Sequence, residues 1–194
     1  MNIKKSTVAT KTFKLLGTHA ASALVCLVLL FMFSGVTSTK AGAVIFTTLV
    51  AFVIAINNYS LAWDIAKKDI RDVKIINNHI ADGEKLKKVN PADGFYSSIL
   101  LTVINLVLLV LYATFFNGAA KIKMITTIIF RAWQSPYIIL LSRNQEANLA
   151  VGAVVSLLPM VLYSLGYFMG TKDMGRFDDL LFKLVYKNKK KNAK

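Results

Sequence analysis

Four long apolar blocks, 15–36, 43–63, 95–116 and 147–169, restrict this chain more than any other feature of its sequence. A run of about 20 apolar residues, rising 1.5 Å per residue, matches a bilayer hydrocarbon core of ~30 Å. A soluble domain of 194 residues would show its apolar side chains at helical or strand spacing around one core, whereas here they are nearly continuous. The expected fold class is an all-α membrane protein with four transmembrane helices. The chain is 55% hydrophobic and only 18% charged, which fits one membrane domain over 15–170 flanked by a basic leader, 1–14, and a tail, 171–194.

Charge distribution sets the expected orientation. The formal net charge is +14, and 19 of the 24 Lys and Arg fall in the leader, the 64–94 loop and the tail. Cytoplasmic segments carry such an excess, so both termini are expected in the cytoplasm. Lys40, Lys121, Lys123, Arg131 and Arg143 are then the basic residues on the other side. A fifth span through 124–141 would place the basic tail outside. Ala41-Gly42-Ala43 resembles a signal cleavage site, but the preceding apolar block is longer than the 7–15 residues of a signal core. A retained first span is expected, joined to the second by a tight hairpin.

Between the second and third blocks, Ile70, Val73, Ile76 and Ile80 recur at helical spacing, which predicts that the second helix continues beyond the membrane. Asp82-Gly83 ends it. Asn90-Pro91-Ala92-Asp93 predicts the next helix start, with Asn90 as N-cap and Asp93 near the positive end of the helix dipole. Segment 121–143 carries Arg131 and Pro136 among apolar residues. A charge at the centre of a spanning helix costs ~2.5–3.5 kcal/mol on insertion scales. This extracytoplasmic segment is therefore expected to be interfacial, anchored by Trp133 and Tyr137, or re-entrant, with Arg131, Trp133, Pro136 and Tyr137 lining a pocket.

The tail places Phe177, Leu180, Leu181, Leu184 and Val185 at helical spacing, ahead of Lys187, Lys189, Lys190, Lys191 and Lys194. This predicts a cytoplasmic amphipathic helix and a polybasic end in contact with anionic lipids. Nucleic acid is not an expected partner, because these lysines lack the interleaved aromatics of RNA-binding modules.

Few residues carry chemistry. With the spans drawn as above, no Asp, Glu, Lys or Arg falls inside them, which argues against ion-coupled transporters, pumps and intramembrane proteases. Asn57, Asn58 and Asn105 are amides within the apolar blocks, expected to bond across helices or to contact a solute. Pro159 is expected to bend the fourth helix. Gly166 and Gly170 form a GxxxG pair, echoed by Gly17 and Ala21 in the first helix. These predict close helix contact, between the first and fourth helices or with another membrane protein or a second copy. His19 and His79 do not make a metal site, which needs three or four donors. Cys26, the single cysteine, excludes an intrachain disulfide. No phosphate loop and no nucleophile with a base beside it is present, so no cofactor and no enzymatic activity are expected. The expected function is a non-enzymatic accessory or regulatory subunit of a larger membrane complex, or alternatively an oligomeric pore or facilitator for a small solute. A bacterial cytoplasmic membrane suits the Lys-, Asn- and Ile-rich composition.

Overall fold

The computed structural model describes residues 7–79, 86–115, 118–137 and 149–173. These form helices α1 (Val8–Met32), α2 (Ser34–Thr37), α3 (Lys40–Asn77), α4 (Asp93–Thr114), α5 (Ala120–Trp133) and α6 (Leu149–Thr171), with a 3₁₀ turn at Ser135–Tyr137. No strand occurs among the described residues. Four helices, α1, α3, α4 and α6, are long and apolar enough to cross a membrane, as a multi-pass integral membrane protein requires. Phe31, Ile45, Val53, Val110, Val154 and Val161 are exposed on these helices, which is the outward apolar surface that lipid would cover.

Helix limits follow local chemistry. Thr7 caps α1, its side chain accepting from the Thr10 N–H, and Thr39 caps α3 by accepting from Gly42. Between them the four-residue α2 makes the tight link. Relative to the sequence reading, α1 begins about two turns earlier, so Lys11 and Lys14 belong to the helix and not to a separate leader. The predicted continuation of the second helix is present, and α3 runs on to Asn77. Asn90 is not the N-cap of α4: its side chain accepts from the Ala92 N–H inside a turn, and the helix proper begins at Asp93 after Ala92. Asp93 does occupy the first turn, near the helix's positive end.

Neighbouring helices are read from the residues that meet. Leu15 packs with Ile65, and Cys26 with Ile54, so α1 and α3 run antiparallel. Gly94 abuts Tyr167 and Gly152 abuts Leu109, so α4 and α6 run antiparallel as well. Gly166 faces the Tyr59 carbonyl and Ala62, and Gly170 faces Ala66 and Trp63, so α6 packs along α3. The GxxxG pair therefore serves contact with the second spanning helix, not with the first. Gly17 has open space where its partner helix was expected.

Helix α5 turns back along α4. Its Phe130 ring stacks on Tyr112 at 4.9 Å, and Trp133, one turn further on, reaches Asn105. The chain thus descends beside the bundle, reverses at Gln134, and sends the 3₁₀ turn between α1 and α3. There Tyr137 packs with Cys26, Ile54 and Val155. Ile122, Met124, Ile125, Ile128 and Ile129 face outward along α5.

Candidate functional site: a buried polar column

At one end of the bundle four side chains from four helices converge. Lys11 of α1 places Nζ 2.5 Å from Oδ2 of Asp69 on α3 and 3.0 Å from Oδ2 of Asp93 on α4. It also donates to the Tyr167 hydroxyl of α6 at 3.0 Å, and that hydroxyl donates to Asp69 at 2.6 Å. Lys11 and Asp69 are each 1% exposed. Ion pairs with hydrogen bonds to satisfy both partners are the form in which buried charge is tolerated. One ammonium faces two carboxylates, and Asp69 Oδ1 has no hydrogen-bond partner. The sequence reading placed these charges outside the spans. By sequence Lys11 falls in the leader and Asp69 in the continuation of the second helix, because no local pattern announces a partner on another helix.

Above this layer the buried polar side chains, set among apolar clusters, carry no formal charge group of Lys, Arg, Asp or Glu. Asn105 donates to the Ser156 carbonyl at 3.0 Å and accepts from Trp133 Nε1 at 2.7 Å, so it is fully engaged at the α4–α5–α6 junction. Trp133 also lies against the His19 ring, with centroids 5.0 Å apart. Neither His19 nitrogen completes a hydrogen bond, although the Trp133 backbone lies beside the ring. Farther along, Ser135 donates to the Ala23 carbonyl and Asn58 donates to the Tyr137 hydroxyl at 3.0 Å. Through these bonds the reversal at Gln134 is fastened to α1 and α3. Gln134 itself is fully buried, with neither side-chain atom bonded. Ser156 Oγ and the Tyr163 hydroxyl are in the same state.

The sequence-predicted residues thus separate. Asn58, Asn105, Pro136 and Tyr137 are buried and Trp133 is partly buried, and all but Pro136 meet partners on other helices. Asn57 faces outward, and so does Arg131. Pro159 is buried within α6. Lys187, Lys189, Lys190, Lys191 and Lys194, with the amphipathic tail helix before them, lie outside the described residues. Lys11, His19, Asp69, Gln134, Ser156, Tyr163 and Tyr167 join the site from the structure. None of them stands out from its neighbours in the sequence: Lys11 is one of four leader lysines, and Asp69 one of three aspartates between 64 and 72. No group of three or more His, Cys, Asp and Glu suited to a metal ion occurs among the described residues.

A second feature lies beside the charged layer. A cleft of about 400 Å³ is lined by Lys14, Asp64, Ile65, Lys67, Lys68 and Arg71. A smaller one of about 90 Å³ shares Lys14, Ile65 and Lys68 and reaches Lys11 and Asp69. Lys67 pairs with Asp173, which follows the end of α6 with φ 57°, and lies 5.1 Å from the Trp63 ring centre. Compared with known protein families, curated proteins and solved structures, the chain has no significant match.

Proposed function

We propose that this protein is a non-enzymatic facilitator that admits a small uncharged polar solute through the centre of its helix bundle. One observation carries the reading: α5 turns back beside α4 and its reversal delivers Trp133, Gln134 and Ser135 into the interior, opposite His19 and Asn105. Broken helices and irregular backbone at membrane depth are tolerated where protein or water satisfies the freed polar groups. Here the unbonded atoms of His19, Gln134, Ser156 and Tyr163 form a discontinuous column of donors and acceptors. A buried polar atom left without a partner costs ~1–3 kcal/mol. Hydration, or a solute bearing hydroxyl or amide groups, would relieve that cost. The charged layer of Lys11, Asp69 and Asp93 would form one mouth, and the uncharged lining above it favours neutral solutes over ions. Gln134, Tyr163 and Tyr167 have no exposed surface, so the conformation described is the shut one.

With both termini in the cytoplasm, as the basic residues favour, the Lys11 end faces the cytoplasm and α5 enters from the opposite side. A bacterial cytoplasmic membrane is the setting consistent with that bias. The alternative reading, an accessory or regulatory subunit of a larger complex, draws on one observation: the Gly17 and Ala21 face of α1 is open to another helix. It loses the second small-residue pair, because Gly166 and Gly170 are covered within the chain.

Purified protein in liposomes, followed by stopped-flow light scattering in gradients of urea or glycerol, tests the proposal. The expected outcome is faster equilibration than in empty liposomes, abolished by Gln134→Leu. Equal rates with and without folded protein would refute it, and a stoichiometric unrelated partner in a mild-detergent pull-down would then favour the accessory reading.

A further inference from the structure

The basic cleft between α1 and α3 is not part of the polar column, and its composition specifies a ligand. Lys14, Lys67, Lys68 and Arg71 line it against a single carboxylate, Asp64. Asp173 engages Lys67 from across the cleft rim, which leaves three cations facing one anion. Its depth is set by Trp63, which closes the apolar stretch of α3 just before Asp64, and tryptophan favours the headgroup zone of a bilayer. Ile65 supplies an apolar wall, and Phe13, next to Lys14 on α1, is 68% exposed. A cleft with cations at headgroup depth and apolar side chains beside them suits a molecule with an anionic head and an acyl chain.

We propose that this cleft binds the phosphate of an anionic phospholipid, with Lys14, Lys68 and Arg71 contacting the headgroup and Phe13 and Ile65 contacting the start of an acyl chain. Basic pockets between spanning helices on the cytoplasmic side bind such headgroups, and anionic lipid is concentrated in that leaflet. Arg71 offers the planar fork that pairs with two phosphate oxygens at once, while the lysines act as point charges. Asp64 opposes binding and sets its strength. The site is distinct from the polybasic end at Lys187 to Lys194, which would attract the membrane surface without holding one lipid. It does not depend on solute passage through the column.

The test uses the full chain in zwitterionic detergent, titrated with dansyl-labelled phosphatidylglycerol and read by energy transfer from tryptophan, with dansyl-labelled phosphatidylcholine as control. Phosphatidylglycerol should bind saturably and more tightly than phosphatidylcholine. Lys68→Gln with Arg71→Gln should weaken it on the order of tenfold to thirtyfold, at about 1 kcal/mol per cation removed. Asp64→Asn should tighten it, and replacing the five lysines from Lys187 to Lys194 by Gln should leave it within about twofold. Should the double variant not yield folded protein, Lys14→Gln alone should weaken binding several-fold. Unchanged affinity in a folded cleft variant would overturn the proposal. So would complete displacement of the labelled lipid by inorganic phosphate, which would identify a site for the free anion instead.

Discussion

Lys11 and Asp69, drawn from opposite ends of the first half of the chain, meet at 2.5 Å with 1% of each exposed, and Asp93 and Tyr167 complete the arrangement. The pairing ties α1, α3, α4 and α6 together at one end of the bundle. Removing the only cation leaves two buried carboxylates facing each other, and breaking such a pair costs about 3–5 kcal/mol. Lys11→Met should therefore lower the thermal midpoint in detergent more than any other single change in the cluster. Asp93→Asn should be mild, because it brings one ammonium opposite one carboxylate and keeps an oxygen to accept from Lys11. Asp69→Asn should fall between them, since Asp69 accepts from both Lys11 and Tyr167. Equal losses for Asp93→Asn and Lys11→Met would show that the cluster's charge imbalance does not matter.

A Cβ on Gly166 would run into the Tyr59 carbonyl, and one on Gly170 into Ala66 and the Trp63 backbone. Because these neighbours are largely backbone, α6 must move off α3 to make room. Gly166→Leu should cost at least the ~1–3 kcal/mol typical of overpacking. Gly17→Ala should be neutral or stabilising by up to about 1 kcal/mol, since the glycine is exposed in a helix with nothing nearby. Thermal unfolding of the two variants side by side checks the contrast. A destabilising Gly17→Ala would place a neighbour on that face.

The spans were legible because lipid demands uninterrupted apolar length, a signal that composition carries residue by residue. The continuation of α3 beyond its apolar stretch was legible for the related reason that Val73 and Ile76 recur at helical spacing. What could not be read was tertiary. Lys11 looks like any other leader lysine until Asp69 and Asp93 are placed beside it, and its burial moves the start of α1 into the presumed leader. The Asn57-Asn58 pair shows the same limit: adjacent residues point about 100° apart on a helix, so one is buried on Tyr137 while the other faces outward. Gly166 and Gly170 announced a close helix contact but not its partner, because a GxxxG face is symmetric with respect to what it accepts. The course of 121–137 turns on Asn105, whose side chain receives Trp133 and so draws α5 inward.

Cys26 is buried against Tyr137 and Val155. Native protein should accordingly resist a membrane-permeant maleimide until it is unfolded, which gives a silent background for topology mapping. In that background His79→Cys, on an exposed turn beyond α3, should label only when the cytoplasmic face is opened to an impermeant maleimide. Thr39→Cys, at the opposite end of α3, should label in intact cells. The reverse pattern would invert the orientation and move the basic cleft to the outer leaflet.

The hydrogen bond from Trp133 Nε1 to Asn105 Oδ1, 2.7 Å long, is the contact by which the re-entrant arrangement can be separated from a segment lying flat on the membrane. In a double-mutant cycle of Trp133→Phe and Asn105→Leu, a bond between these side chains appears as a coupling energy, and interhelical bonds in membranes give ~0.6–2 kcal/mol. The cycle should therefore show coupling of about 1 kcal/mol by thermal or denaturant unfolding, with Asn105→Leu the costlier single change because it also frees the Ser156 carbonyl. With Trp63→Phe leaving Trp133 as the remaining tryptophan, quenching by lipids brominated deep in their chains should exceed quenching by lipids brominated near the headgroup. A segment at the interface gives the opposite order and zero coupling. Either result would remove the polar tip from the bundle, and with it the feature on which solute passage depends.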